Sequence, residues 1–281
     1  MSAHVAIVTD STAYLPQEAL TRHHITVVPL TVILGDEVLE EGTEGSARSV
    51  ATALQRRRPV TTSRPGPEQF VAAYRAAADA GASAVVSLHL SAEFSGTYDA
   101  ACVAAESAPV PVRVVDTGMV AMALGFPVLA AAEAAESGGT ADDAVAAAEK
   151  RAAGTSAYFY VDTLDYLRRG GRIGAAQALL GSALAVKPLL QLAEGRIQLL
   201  EKVRTASRAI ARLEEIVAER AGQATVDIAV HHLAAADRAE ALAERLRARV
   251  PRLAELHVSE VGAVIGAHTG PGLLGAVVSP R

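Results

Sequence analysis

Short runs of apolar residues, many of them β-branched, recur along the first half of the chain, and each run ends at a group of polar residues. Such runs are typical of buried strands in a parallel sheet. We predict strands at residues 4–9, 25–34, 84–90 and 112–115. Apolar positions at helical spacing predict helices at residues 46–57, 67–80 and 95–107, followed by two alanine-rich helices that reach about residue 153. Strands that alternate with helices favour an α/β fold with a mainly parallel, three-layer sheet.

The pattern changes after Gly154, where strands also follow strands directly. We predict strands at residues 156–161, 186–192, 196–203, 225–231, 253–259 and 273–279. Helices are predicted at residues 163–168, 174–184, 207–221 and 235–250. Glu194-Gly195, between two of the strands, is a hairpin signal. The sequence therefore predicts two lobes, an N-terminal α/β/α lobe over residues 1–155 and a C-terminal two-layer lobe over residues 156–281, in which helices cover a mixed sheet.

Composition and charge narrow the function classes. The chain is 51% hydrophobic and 20% charged, which is enough apolar material for a core and argues against disorder. A formal net charge of −5 gives no general attraction to nucleic acid or anionic lipid. The single cysteine, Cys102, excludes an internal disulfide and fits a reducing compartment. The uncharged run between Asp116 and Glu133 is too short to span a membrane, so we expect a cytoplasmic protein without stable membrane insertion.

Candidate chemistry follows the predicted strands, where open α/β sheets bind their ligands. In the first lobe these segments are rich in hydroxyl groups and poor in paired carboxylates. They are Asp10-Ser11-Thr12, Thr61-Thr62-Ser63-Arg64-Pro65 and Ser91-Ala92-Glu93-Phe94-Ser95-Gly96-Thr97-Tyr98. The second lobe adds Arg168-Arg169-Gly170-Gly171-Arg172 and His268-Thr269-Gly270-Pro271-Gly272. None of them suggests a metal site.

The order and spacing of these segments, from Asp10 to Gly272, resemble the DegV family of bacterial fatty-acid-binding proteins. The resemblance implies a two-domain fold that binds a long-chain fatty acid such as palmitate in a tunnel between the lobes, with no other cofactor. It also implies a separate fatty-acid kinase that phosphorylates the bound carboxylate, in fatty-acid transport or incorporation into phospholipid. On this reading the chain is not itself an enzyme.

The resemblance also implies which residues hold the carboxylate. They are Thr62 of the Thr-Ser-x-Pro segment, Ser95 before Gly-Thr-Tyr, and His268 before Thr-Gly-Pro-Gly. Gly96 adds a backbone N–H at the start of a helix, which is a ready anion site. Arg172 is a further candidate at the entrance to the head-group site. Arg64 departs from the family pattern, which often has Gln at this position.

Simpler roles and other functions remain open at this stage. Ser95 is explained equally well as a helix cap, Thr62 as a turn residue and His268 as a structural histidine. Ser95 with His268 is compatible with a serine hydrolase, although the Gly-x-Ser-x-Gly elbow is missing. A small-molecule phosphotransferase is the other alternative, although the chain lacks a Gly-x-x-x-x-Gly-Lys loop and an acidic cluster suited to Mg²⁺.

Overall fold

A computed structural model describes residues 4–43, 45–179 and 187–281 of the chain. Its strands are β1 (Val5–Asp10), β2 (Thr26–Val28), β3 (Thr31–Leu34), β4 (Glu37–Glu40), β5 (Thr61–Ser63), β6 (Ala84–His89), β7 (Val112–Asp116), β8 (Ser156–Tyr160), β9 (Lys187–Ala193), β10 (Arg196–Val203), β11 (Val226–His232), β12 (Leu253–Glu260) and β13 (Leu274–Pro280). Its α-helices are α1 (Gln17–Arg22), α2 (Ser46–Gln55), α3 (Pro67–Asp79), α4 (Thr97–Ala105), α5 (Met122–Glu136), α6 (Ala141–Gly154), α7 (Asp165–Arg169), α8 (Ala206–Ala221), α9 (Ala236–Arg249) and α10 (Ala263–Thr269).

The first of two units comprises residues up to 31 and residues 63–154. Its sheet has the order β2-β1-β6-β7, and all three strand pairs are parallel, as predicted. Helices α3 and α4 pack together against this sheet, and α5 and α6 form a second helix pair on it. Because the strands are parallel, their carboxyl ends lie at one edge, which brings Asp10, His89 and Asp116 to that edge.

The predicted strand at residues 25–34 is wrong as a single element. The structure divides it into β2, which pairs with β1, and β3, which belongs to a small three-stranded sheet of order β4-β3-β5. Pro29 lies between the two pieces and has no backbone N–H to contribute to a ladder. The N–H of the next residue, Leu30, donates instead to Ser11 Oγ at 2.9 Å. The strands β4 and β5 are not foreseen by the sequence pattern.

The second unit comprises residues 32–62 and 155–281. Its six-stranded sheet has the order β10-β9-β8-β13-β11-β12, in which only the β11–β12 pair is parallel. Helices α8 and α9 pack on this sheet around a core that includes Leu213 and Leu242. The hairpin predicted at Glu194-Gly195 is present, with both residues at positive φ. The mixed α/β class and the mixed second sheet are therefore confirmed.

Residues 32–62 group with the second unit, whereas the sequence-based division assigns them to the first lobe. The packing of α2 against α10 contributes to this grouping, and Gly266 of α10 lies near Val50 of α2. A Cβ on Gly266 would lie 3.7 Å from Val50 Cγ1. This packing buries the apolar side of α2, including Val50 and Leu54.

Two further predictions concern the region after α7. The helix expected at residues 174–184 is a 3₁₀ helix over Gly174–Leu179, and its remainder lies outside the described residues. The strand expected from residue 186 begins, within the described chain, at Lys187. Among the residues that the structure describes, no helix combines the length and apolar character needed to cross a bilayer.

Candidate functional site

Thr62 and His268, which are 206 positions apart, meet in the second unit. Thr62 Oγ1 and His268 Nε2 are separated by 2.9 Å, and both residues are partly buried. Burial and, to a smaller extent, the positive charge of Arg172 together lower the pKa of His268 to about 4. The imidazole is therefore neutral near pH 7. If its Nε2 carries the proton and donates to Thr62, the threonine hydroxyl keeps its own proton for a bound anion.

The position of His268 is set by its short helix, α10. The carboxylate of Glu41, a residue only 5% exposed, accepts a hydrogen bond from the Val264 N–H at 2.9 Å. This bond satisfies one of the donors that the first turn of a helix leaves open. On the other side of the imidazole lies Gly170, where an added Cβ would overlap His268 Nδ1. His268 therefore lies on a helix whose first turn is capped, and Gly170 leaves room for its ring.

Arg172 also belongs to this group. It follows the turn Gly170-Gly171 after α7, and its backbone N–H donates to Leu167 O at 2.9 Å. Its side chain donates to Gly170 O at 2.5 Å, and its charge acts on His268. The structure therefore brings three predicted site residues together, namely Thr62, Arg172 and His268.

Ser95 and Gly96 lie in the first unit, at the start of α4. Helix α4 begins at Thr97 with Gly96 as its N-cap, so the predicted start at residue 95 is two residues early. Ser95 makes no capping bond; its Oγ lies 2.8 Å from Thr97 Oγ1. The first turn of α4 therefore keeps backbone N–H groups without a side-chain cap, as an anion site requires.

Arg64 is a neighbour of this turn that the sequence prediction treated only as a departure from the family pattern. Its Nη1 lies 3.5 Å from Gly96 O, and a Cβ at Gly96 would overlap the guanidinium. A cation thus lies beside the N-terminus of α4. A basic residue in a loop two residues after Thr62 was the available signal.

A second group that sequence reasoning missed lies beneath the same edge of the first sheet. His89 Nδ1 is 3.1 Å from Asp10 Oδ2, His89 Nε2 is 2.7 Å from Ser87 Oγ, and Tyr74 donates to Ser87 Oγ at 2.9 Å. All four residues have 0% exposure. Ser87 and His89 occupy alternate positions of β6, so two polar residues on one face of an apolar strand were the signal.

Three observations bear on the two enzymatic alternatives. The Ser–His–Asp series in the first unit resembles a hydrolase triad, but its serine has no access for a substrate. His268 has no carboxylate partner among the described residues to orient it as a general base. Across the described parts of the chain, no three His, Cys, Asp or Glu side chains are grouped in a way that could hold a metal ion.

Comparisons with known proteins agree with the fold and with the family resemblance. Residues 4–281 match the model of the DegV family, which is described as a family of uncharacterised proteins. A DegV domain-containing protein of Streptomyces coelicolor is 79% identical over 281 residues, 100% of each chain. A solved structure described as fatty acid binding of a DegV family protein from Thermus thermophilus has a TM-score of 0.93 and 35% identity, covering 99% of this chain and 100% of that one. The structure of DegV from Bacillus subtilis, described as a fatty acid binding protein, has a TM-score of 0.92 and 36% identity over 100% of both chains.

Proposed function

Because the chain belongs to the DegV family, we propose that it binds one long-chain fatty acid, such as palmitate, and carries out no reaction on it alone. The observation that carries the proposal is the hydrogen-bonded pair of Thr62 with a neutral His268 beside the charge of Arg172. Two relatives that share the fold over their full length are described as fatty acid binding.

The carboxylate is the part of the ligand that needs specific partners. A bare carboxylate removed from water costs several kcal/mol unless hydrogen bonds replace its hydration. Thr62 supplies a neutral hydroxyl donor, which the hydrogen bond from His268 leaves free for the ligand, and Arg172 supplies a positive charge. In the proposal, Ser95 and the N–H groups that follow Gly96 complete the set, since a helix N-terminus stabilises an anion.

The acyl chain supplies most of the affinity. Burying roughly 14 methylene groups at ~0.8 kcal/mol each gives on the order of 11 kcal/mol before the costs of association. We propose that the acyl chain lies in the tunnel that the family resemblance implies. The proposal thus divides the ligand into a polar end that sets orientation and an apolar end that sets affinity.

A binding protein of this kind serves as a carrier. In the proposal it presents the carboxylate to a separate fatty-acid kinase in the cytoplasm, for fatty-acid transport or incorporation into phospholipid. The kinase contributes the ATP site and the metal. Incubation of the loaded chain with Mg²⁺ and ATP should give no acyl phosphate, trapped as the hydroxamate, until the kinase is added. Acyl phosphate formed by the chain alone would contradict the carrier role.

The binding proposal is tested by the lipid that the protein retains and by two substitutions. Native mass spectrometry of gently purified protein should show one bound fatty acid. Thr62→Ala and Ser95→Ala should each weaken palmitate binding about tenfold or more, because each removes a hydrogen bond to a charged group. The exposed neighbour Thr61 provides the control, and Thr61→Ala should bind as the unchanged chain does. Full affinity in both site variants would refute this head-group site.

A further inference from the structure

The carboxylate of Asp10 is a buried charge with every oxygen occupied. Asp10 ends β1 and has 0% exposure. Its Oδ1 accepts from Thr12 N at 3.0 Å and from Thr12 Oγ1 at 2.6 Å, and its Oδ2 accepts from Leu90 N at 3.0 Å. His89 Nδ1, at 3.1 Å from Oδ2, is the fourth partner. Four donors offset the cost of removing this charge from water, so Asp10 remains an acceptor for all of them.

This acceptor fixes the direction of the hydrogen bonds that follow. Since a carboxylate only accepts, His89 Nδ1 donates to Asp10 Oδ2, and in this tautomer His89 Nε2 accepts from Ser87 Oγ. Ser87 in turn accepts from the Tyr74 hydroxyl. Burial raises the pKa of Tyr74 to about 12, which keeps this hydroxyl protonated as a donor. In this tautomer each hydrogen bond of the series Tyr74, Ser87, His89 and Asp10 has one donor and one acceptor.

Two members of this series, Asp10 and His89, hold the start of the loop that leads to Ser95. Leu90, bonded to Asp10, is the first residue after β6, and the carbonyl of His89 accepts from Thr117 N at 3.2 Å and Thr117 Oγ1 at 2.8 Å. The next residue, Ser91, donates its N–H to Met119 O at 2.9 Å. The loop from residue 89 to residue 96 therefore starts at Leu90, which the Asp10 carboxylate holds, and at His89, whose carbonyl Thr117 holds.

We propose that Asp10 is a positioning residue for the anion site at Ser95 and Gly96, acting through His89 and Leu90. The inference rests on the proposed fatty-acid binding, since it assigns Asp10 a role in holding the ligand's carboxylate although Asp10 does not touch it. It requires that a substitution at Asp10 weakens binding of the carboxylate more than it weakens binding of the acyl chain.

The test compares palmitate with hexadecanol, which has the same chain length and no carboxylate. In Asp10→Asn an NH₂ group, which only donates, replaces one of the two oxygens that accept hydrogen bonds. This group then faces other donors, so the loop must shift. Palmitate affinity should fall about tenfold or more, while hexadecanol affinity changes less than about threefold. Nitrogen NMR of the imidazole should show the Nδ1–H tautomer of His89 in the unchanged chain and its loss in the variant.

Asp227→Asn is the matched control, because Asp227 is also buried and is paired with Arg281 in the second unit. It should lower the melting temperature without changing the ratio of the two affinities.

A folded Asp10→Asn chain that keeps its preference for palmitate would overturn the inference, as would an equal change of the ratio in the control. If Asp10→Asn does not fold, Ser87→Ala is used instead, since it removes the hydrogen bond to His89. The ratio of palmitate affinity to hexadecanol affinity should then fall in the same way. An unchanged chain that binds neither compound refutes the proposed function itself, which is a separate result.

Discussion

At the scale of single residues, the site depends on keeping one imidazole neutral and fixed. The ring of His268 is desolvated and lies near a guanidinium, and both effects favour its neutral form. A neutral ring does not form an ion pair with a carboxylate, so the positive charge of the site comes from Arg172. This division leaves His268 and Thr62 to act through hydrogen-bond geometry, which is sensitive to small displacements.

Gly170 is the residue at which such a displacement is simplest to produce. Gly170→Ala should place a Cβ where His268 Nδ1 lies, so the ring must move and the bond to Thr62 must lengthen or break. We expect a folded protein whose palmitate affinity falls about tenfold, as for loss of a hydrogen bond to a charged group. Calorimetric titration of the variant measures this change.

Gly275→Ala is the control for this substitution. Gly275 lies in β13 of the same unit, and a Cβ there would meet its nearest neighbour, Phe159 Cβ, at 3.4 Å, an ordinary contact. Its affinity for palmitate should match that of the unchanged chain. Equal affinities in all three proteins would show that the ring position does not matter for binding.

At the scale of elements, α10 is a helix of only seven residues that carries a site residue near its C-terminal end. A helix of this length is not stable through its own hydrogen bonds, so tertiary contacts must hold it. Besides α7, those contacts include the packing of α2 and the carboxylate of Glu41, both from the segment 32–62. This segment therefore supports the site although only Thr62, at its end, belongs to it.

Removing the cap tests this dependence. Glu41→Ala leaves the buried Val264 N–H without its acceptor, so we expect the free energy of unfolding to fall by about 1–2 kcal/mol. Palmitate affinity should fall as well, because α10 then holds His268 less firmly. Urea denaturation and calorimetric titration measure the two effects. Glu40→Ala, at the exposed neighbouring position, should change neither, and a Glu41→Ala chain with unchanged affinity would separate the cap from the site.

Local patterns predict elements better than they predict which elements meet. The strands β1, β6 and β7 and the alternation with helices follow from apolar runs, and so does the α/β class. The division at Pro29 was missed because the apolar run continues through the proline, although the missing N–H ends the ladder. The sequence does not predict the contact of Asp10 with His89, because that contact requires β1 and β6 to be neighbours in the sheet. The apolar pattern of a strand does not determine which strand lies beside it.

The candidate site shows the same limit. Thr62 and His268 came from the order of motifs in a family, and no spacing rule would join residues 206 positions apart. Glu41 and Gly170 were not foreseen, since their roles depend on where α10 lies. The sequence marks Arg64 only as a departure from the family pattern, because its position beside Gly96 depends on the path of the loop.

At the scale of the whole molecule, both units are discontinuous in sequence, because residues 32–62 interrupt the first unit and join the second. A properly folded second unit therefore needs two separate stretches of the chain. Its stability also depends on histidines that fold in the neutral form. Burial lowers the pKa of His231 to about 4, and that of His268 is similarly low.

These two groups predict how stability changes with pH. The usual histidine pKa of 6.5 applies to the unfolded chain, so between about 6.5 and about 4 the unfolded state binds protons that the folded state does not. The free energy of unfolding should therefore be fully retained above pH 6.5 and should decrease as the pH falls toward 4. Urea midpoints measured across this range give the slope.

Substitution of His268 measures its share of the change in unfolding free energy with pH. His268→Gln should reduce it by at most about 1.4 kcal/mol per pH unit, whereas His4→Gln, at an exposed position, should leave it unchanged. A bound carboxylate beside the ring favours the protonated form, so saturation with palmitate should raise the pKa of His268 and shrink its share of the slope. Equal slopes with and without palmitate would mean that the ligand's charge does not lie near His268, and the head-group site would have to be placed elsewhere.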